Sequence, residues 1–118
     1  MKTLVVGVSP GADRYANMAV RRLKAAGHEV VALGLRAGEA DGVPILTGTP
    51  QLHGVHTISL YINPARQEPL IDYFLSLTPS RIIFNPGTEN ADFATRVEAA
   101  GIEATHGCTL VMLGTDQF

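Results

Sequence analysis

The stretch Thr3-Leu4-Val5-Val6-Gly7-Val8-Ser9-Pro10-Gly11-Ala12 decides the fold class, because it joins a short apolar run to a glycine-containing turn. An unbroken, valine-rich run of this length is typical of a strand buried on both faces, as in a parallel sheet. Residues 16–26 then place small and aliphatic side chains at helical spacing, and Gly27 is expected to end that helix. The stretch therefore predicts the strand, turn and helix that open a doubly wound α/β domain.

The rest of the chain continues this alternation. Further apolar runs predict strands at 30–33, 43–46, 56–62, 81–84 and 102–105. Helical spacing predicts helices at about 67–75 and 89–100 and a short docked helix at 109–113. Parallel strands joined by right-handed helical crossovers form an open sheet covered on both faces. We therefore expect a single Rossmann-like domain over residues 1–118, with an open, doubly wound, mainly parallel sheet in three α/β/α layers.

Two details of this layout depend on proline. Pro44 lacks the N–H that a central strand donates, so its strand is expected at an edge of the sheet, after a loop at 34–42. Pro64 suits a helix entry, but Pro69 does not suit a regular helix interior. We expect an irregular first turn there, with the regular helix starting near Gln67.

Composition narrows the class of protein. A chain of 118 residues that is 46% apolar and 17% charged suits one folded domain, and its net charge of −2 argues against non-specific binding to nucleic acid or anionic membranes. The lone Cys108 excludes an intramolecular disulfide. The amino-terminal apolar run is too short for a signal peptide, and no run approaches the roughly 18 apolar residues of a membrane span. These features predict a cytoplasmic protein with no nucleic-acid or membrane partner.

The loop after the first strand is the leading candidate site, because ligands of open α/β sheets bind beyond the carboxyl ends of the strands. Gly7, Ser9 and Ala12 form the pattern G-x-S-x-x-A, a variant of the dinucleotide fingerprint. Glycine permits the tight turn, the small residue at 9 lets a diphosphate approach the backbone, and the next helix offers N–H groups to an anion. An ordinary glycine-rich turn is the alternative, but the position in the fold favours phosphate binding.

The loop after the second strand discriminates between cofactors. NAD sites carry an acidic residue there, whereas this loop offers Arg36, and Arg14 adds a second candidate charge near the first loop. An arginine fits a ribose phosphate, as in NADP or coenzyme A. A solvated surface side chain is the commoner fate of a single arginine, so this loop alone leaves the cofactor open.

Two further loops are expected to shape the cleft rather than to carry chemistry. Asn63-Pro64 and Asn85-Pro86-Gly87 follow predicted strands, and Gly87 is expected to adopt a positive φ. Thr88 and Asn90 are expected to cap the next helix.

Catalytic and metal-binding patterns are weak. Cys108 is expected to be inert, because His106 at this spacing need not meet the thiol that it would activate. The histidines show no spacing typical of metal ligands. We predict no catalytic residue and no metal site.

Several short segments occur in a particular order along nearly the whole chain. They are Lys2–Pro10 with Arg14-Tyr15, Gly27–Val30, Gly38-Glu39, Tyr61–Pro64, Asn85–Asn90 and Gly101–Leu113. In this order they resemble the small bacterial and archaeal CoA-binding proteins, which are stand-alone versions of the CoA-binding domain of the succinyl-CoA synthetase α-subunit.

The resemblance implies a Rossmann-type domain that binds coenzyme A, or an acyl-CoA, at the carboxyl edge of its sheet. By the family pattern the cofactor-binding residues are Gly7, Ser9, Pro10, Arg14, Tyr15, Arg36, Asn63, Pro64, Pro86 and Gly87. Arg36 looks like the basic residue that meets the nucleotide phosphates, while Ala37 stands where the family often has a second positive charge. The catalytic histidine of the synthetase belongs to another domain, so the resemblance implies a binding module without catalysis.

Two other functions stay open at this point. An NADP-dependent oxidoreductase is compatible with Arg36, although Ser9 replaces the central glycine of the fingerprint. A protein-interaction module that has lost its ligand is compatible with the small number of positive charges in the predicted ligand-binding loops. A homodimer through the apolar carboxyl-terminal segment, or an unknown protein partner, is compatible with all three functions: CoA binding, NADP-dependent oxidoreduction and protein interaction.

Overall fold

The computed structural model describes residues 1–12 and 14–118. Within them the strands are β1 (Thr3–Val6), β2 (Val30–Leu33), β3 (Gly38–Ala40), β4 (Val43–Leu46), β5 (Thr57–Leu60), β6 (Arg81–Phe84) and β7 (Glu103–His106). The helices are α1 (Tyr15–Ala25), α2 (Pro64–Gln67), α3 (Ile71–Ser76), α4 (Ala91–Ala99) and α5 (Thr109–Gly114), and a 3-10 turn at Glu68–Leu70 joins α2 to α3. None of these helices has the length and apolar content needed to cross a bilayer.

The strands form one sheet in the order β3-β4-β2-β1-β5-β6-β7. All neighbours are parallel except β3 and β4, which form an antiparallel hairpin. The chain leaves β1 toward β2 on one side and later returns to place β5 on the other side. The strand order thus reverses between β1 and β5, which confirms the doubly wound, Rossmann-like prediction and locates the crevice where such folds bind ligands.

Each face of β1 meets a different helical layer, because successive side chains of a strand point to opposite faces. Val5 packs in the core cluster beneath α1, which Leu110 and Leu113 of α5 also join. Leu4 and Val6 pack in the other cluster, with the apolar residues of α3 and α4. All four residues of β1 are buried, as the unbroken apolar run predicts.

The region between β2 and β4 differs from the prediction. Residues 38–40 form the edge strand β3 rather than part of a loop, and the strand with Pro44 lies inside the sheet rather than at its edge. Asp41 and Gly42 both have positive φ in the two-residue turn that joins the strands, as tight hairpins require. Pro44 is tolerated because pairing with β2 begins only at Ile45.

The helix after β5 is also ordered differently. The first turn is regular from Pro64, because the side-chain oxygen of Asn63 accepts a hydrogen bond from the backbone N–H of Arg66 at 2.9 Å. The irregularity comes later, in the 3-10 turn that contains Pro69, a residue with no N–H for a helical hydrogen bond. The prediction of an irregular first turn, with the regular helix starting near Gln67, is therefore wrong. The last strand runs one residue later than predicted, at Glu103–His106.

Candidate ligand-binding site

A cleft of about 710 Å³ opens at the carboxyl edge of the sheet, above the switch point between β1 and β5. This volume lies within the range of small-molecule sites. Of the residues that the sequence predicts for the site, the cleft brings together Gly7, Ser9, Pro10, Arg14, Tyr15, Arg36, Asn63, Pro86 and Gly87. Pro64, the first residue of α2, is not part of the lining.

The loop after β1 makes a turn that only glycine suits. Gly7 has a φ of +99°, and a Cβ there would lie 3.0 Å from Cγ2 of Ile62 and 3.1 Å from the carbonyl oxygen of Tyr61. The buried carboxamide of Asn17 donates to the carbonyl oxygen of Ser9 at 2.9 Å and fixes the position of the loop. Arg21 donates to the carbonyl of Ala12 at 2.7 Å. The backbone is thus positioned before any ligand arrives.

The helix α1 begins beside this loop. In the part of the chain that the structure describes, its N-cap residue Arg14 makes no side-chain capping hydrogen bond and its first turn carries no acidic residue. The positive end of the helix dipole and the first N–H groups are therefore available to an anion.

The described residues that line the cleft carry charge of one sign. Arg14, Arg36 and Arg66 line it, and its described lining includes no carboxylate. Among the ion pairs of the described residues, none involves these three arginines. Exposed guanidinium groups converging on one cleft suit a ligand with several phosphates. Arg66 lies outside the sequence prediction, although its place in the first turn after a predicted strand is a signal for it.

A second, more apolar cleft of about 440 Å³ adjoins the first. The two share the lining residues Gly7, Leu35, Ile62 and Arg66. The remainder of the second cleft comes from Val6 at the end of β1, from the end of β2, from Gly48 after β4, and from Ala65, Pro69 and Leu70. These segments are far apart in the chain, so no local pattern in the sequence indicates this cleft.

The loop after β6 forms the opposite side of the main cleft. Gly87 has a φ of +91°, as predicted, and its N–H donates to the Glu89 carboxylate at 2.9 Å. Asn90 caps α4 by accepting from the N–H of Phe93 at 3.2 Å, which confirms its predicted role. Thr88 is not a cap: it is buried, and its hydroxyl donates back to the carbonyl of Asn85 at 2.7 Å.

Below this loop, a buried polar network anchors the cleft floor. The amide nitrogen of Asn85 donates to the hydroxyl of Ser59 and to the carbonyl of Leu60, and its oxygen accepts from the N–H of Thr109. Tyr61 lies beside this network, and its buried hydroxyl has no hydrogen-bond partner among the described residues. Burial raises the pKa of Tyr61 to about 12, so the phenol is a weak acid that stays protonated at neutral pH.

Cys108 lies behind the cleft. It is half-buried at the N-cap position of α5 and is not part of the cleft lining. Within the described residues, no three potential metal-ligating side chains come together. Because Cys108 does not line the cleft, we do not expect its thiol to take part in ligand binding.

We expect Cys108→Ser to leave ligand affinity nearly unchanged, because serine has a similar shape, is only slightly smaller and is a preferred N-cap residue. Calorimetric titration of the wild type and the variant checks this. A loss of more than about tenfold in affinity would show that the thiol takes part in binding.

Comparison with known proteins places these features in a family. A family model described as a CoA binding domain matches residues 1–114. The solved structure of an uncharacterised protein, 47% identical, aligns over 99% of this chain and 97% of its own with a TM-score of 0.97. No curated protein matches the chain.

More distant structures share the fold. One is a protein from Thermus thermophilus, 18% identical, with a TM-score of 0.87 over 99% of this chain and 90% of its own. Another is a hypothetical protein from Pyrococcus horikoshii OT3, 17% identical, with a TM-score of 0.86 over 96% of this chain and 81% of its own.

Proposed function

Since this chain belongs to the family of CoA-binding domains, we propose that it holds coenzyme A, or an acyl-CoA, in the cleft at the carboxyl edge of its sheet. The observation that carries this proposal is the charge of the cleft, where three arginines and no described carboxylate lie near the start of α1, whose N-cap residue Arg14 makes no side-chain capping hydrogen bond among the described residues. Coenzyme A carries a diphosphate and a ribose 3′-phosphate, and such a set of cationic groups suits it.

The nucleotide half fits the β1 and β2 sides of the cleft. The diphosphate lies over the Gly7–Pro10 turn and the start of α1, with Arg14 beside it. Arg36, in the loop after β2, binds the 3′-phosphate. The adjoining apolar cleft, which Leu35 and Ile62 line on the shared side, gives the adenine ring a place out of water.

The pantetheine arm leaves the diphosphate toward the β5 and β6 sides. Asn63 lies on one lip of that part of the cleft, and Pro86 and Gly87 lie on the other. These neutral groups suit an arm of amides and methylenes better than they suit a phosphate.

The role that we propose is binding without catalysis. Among the described residues, the cleft lining includes no histidine, cysteine or carboxylate, and Tyr61 is a weaker acid than an ordinary tyrosine. General acid–base chemistry needs a group whose pKa lies near the working pH. The cytoplasmic location and a homodimer stay predictions; Leu110 and Leu113 of α5 pack within this chain, while Val111 is exposed.

The test is calorimetric titration of the purified protein with coenzyme A, dephospho-CoA, NADP and NAD in parallel. We expect coenzyme A to bind most tightly, and removal of its 3′-phosphate to weaken binding by roughly 1.5–3 kcal/mol, as for a charge-assisted hydrogen bond. A preference for NADP would move the protein to the oxidoreductase function. Binding of none of the four would leave the protein-interaction module as the better interpretation.

A further inference from the structure

We infer that Gln67 is a positioning residue, whose buried carboxamide holds the two lips of the pantetheine side of the cleft together. The lips are the segment from Ile62 to Asn63 after β5 and the segment from Pro86 to Thr88 after β6. The inference rests on the proposed function, because it concerns the affinity of this site for the arm of coenzyme A.

Gln67 is fully buried and connects both lips directly. Its amide nitrogen donates to the carbonyl oxygen of Ile62 on one lip and to the carbonyl oxygen of Thr88 on the other, each at 2.8 Å. Its amide oxygen accepts from the side-chain nitrogen of Asn90 at 2.9 Å. One side chain therefore ties together two loops that belong to neighbouring strands.

Packing alone does not explain why a glutamine occupies this buried position. A buried carboxamide is costly unless its donors and acceptor are all bonded, and an apolar side chain of the same volume would fill the space at less cost. The glutamine instead satisfies backbone carbonyls of Ile62 and Thr88, two residues that themselves line the cleft. It consequently fixes the distance between the lips on which the arm must lie.

The opposite end of the cleft has a comparable device. Asn17 is also buried, and its carboxamide donates to the carbonyl of Ser9 in the phosphate-side turn. Asn17 contacts neither lip of the pantetheine side through a hydrogen bond of the described residues. The two carboxamides thus position different halves of the ligand, and Asn17 is a matched control for Gln67.

The experiment titrates the full chain with coenzyme A and with adenosine 3′,5′-bisphosphate, which keeps the nucleotide half and lacks the arm. We expect Gln67→Met to weaken coenzyme A binding about tenfold and to leave the bisphosphate within about twofold, since net hydrogen-bond contributions are of that size. We expect Asn17→Leu to weaken both ligands alike. Thermal unfolding of each variant shows that it is folded at the temperature of titration.

Asn90→Asp is the second variant, and it tests the role of Gln67 if Gln67→Met does not fold. Aspartate still caps α4 but cannot donate to the amide oxygen of Gln67, so we expect a selective loss for coenzyme A of about threefold. Equal losses for both ligands, or no loss for either, would overturn the inference while leaving the proposed function intact. A wild-type protein that binds neither ligand would overturn both.

Discussion

Gly34→Ala is expected to destabilise the domain by roughly 2–3 kcal/mol, the upper part of the range for overpacking, and to weaken coenzyme A binding as well. A Cβ at Gly34 would lie 2.2 Å from the carbonyl oxygen of Val8 and 2.9 Å from Cγ2 of Ile45. The first neighbour is backbone, so no side-chain rotation relieves the overlap. The N–H of Gly34 is also bonded to the carbonyl of Leu46 at 2.9 Å, which prevents the β2 end from moving freely.

The overlap is expected to affect binding, because Val8 belongs to the turn that we propose as the diphosphate site. If that turn moves away from Gly34, the backbone at Ser9 and Pro10 moves with it. The two loops that carry the phosphate side of the cleft then separate. Stability and affinity are therefore expected to fall together in this variant.

Gly107→Ala is the matched control for this prediction. Among the described residues, a Cβ there would meet only the sulfur of Met112, at an ordinary 3.9 Å. Its effect on stability is expected within about 0.5 kcal/mol. Urea denaturation of both variants and the wild type, followed by titration with coenzyme A, makes the comparison. An unchanged unfolding midpoint for Gly34→Ala would contradict the close approach of the two loops.

Much of the fold is predictable from local sequence, because a parallel sheet demands short apolar strands that local composition reveals. The run from Thr3 to Val6 and the helical spacing after it lead directly to β1 and α1. The hairpin at 38–46 is harder, since β3 is the sequence Gly-Glu-Ala and has no strand-forming side chains. Its available signal is Asp41-Gly42, a dipeptide typical of two-residue hairpin turns.

The site is predictable in outline for a different reason. The rule that ligands bind beyond the carboxyl ends of strands selects the loops that line the cleft, because it depends on topology rather than on side chains. The residues that complete the cleft depend on contacts between distant segments. Two hydrogen bonds of Gln67 connect it to Thr88 and Asn90, which lie 21 and 23 positions further along the chain. No local pattern in the sequence encodes these contacts.

The same limit applies to Arg66. Arg66 in α2 and Leu35 in the loop after β2 line both clefts, so the role of Arg66 depends on two segments that are distant in the chain. Arg36, in contrast, follows a predicted strand directly and is found by the loop rule alone. Residues next to strand ends are thus more accessible to sequence reasoning than residues within the helices that follow.

Arg36→Ala is expected to weaken coenzyme A binding by roughly 1.5–3 kcal/mol, or about 10- to 150-fold, as for loss of a charge-assisted hydrogen bond. Arg36 is exposed in the loop after β2 and lines the cleft. The fold should be unaffected, because an exposed side chain without a described ion pair contributes little to stability. Titration of the variant with coenzyme A measures the loss.

The assignment of Arg36 to the 3′-phosphate can be tested separately with dephospho-CoA, which lacks that phosphate. If the guanidinium binds that phosphate, the variant should bind coenzyme A and dephospho-CoA about equally, and the two single changes should not add. Arg96→Ala is the control, because Arg96 pairs with Asp72 at 2.8 Å and is not part of the cleft lining. That variant should keep the wild-type preference for coenzyme A. Equal losses for both ligands in Arg36→Ala would instead place the arginine at the diphosphate, and unchanged affinity would remove it from the site, leaving Arg14 and Arg66 as its cationic groups.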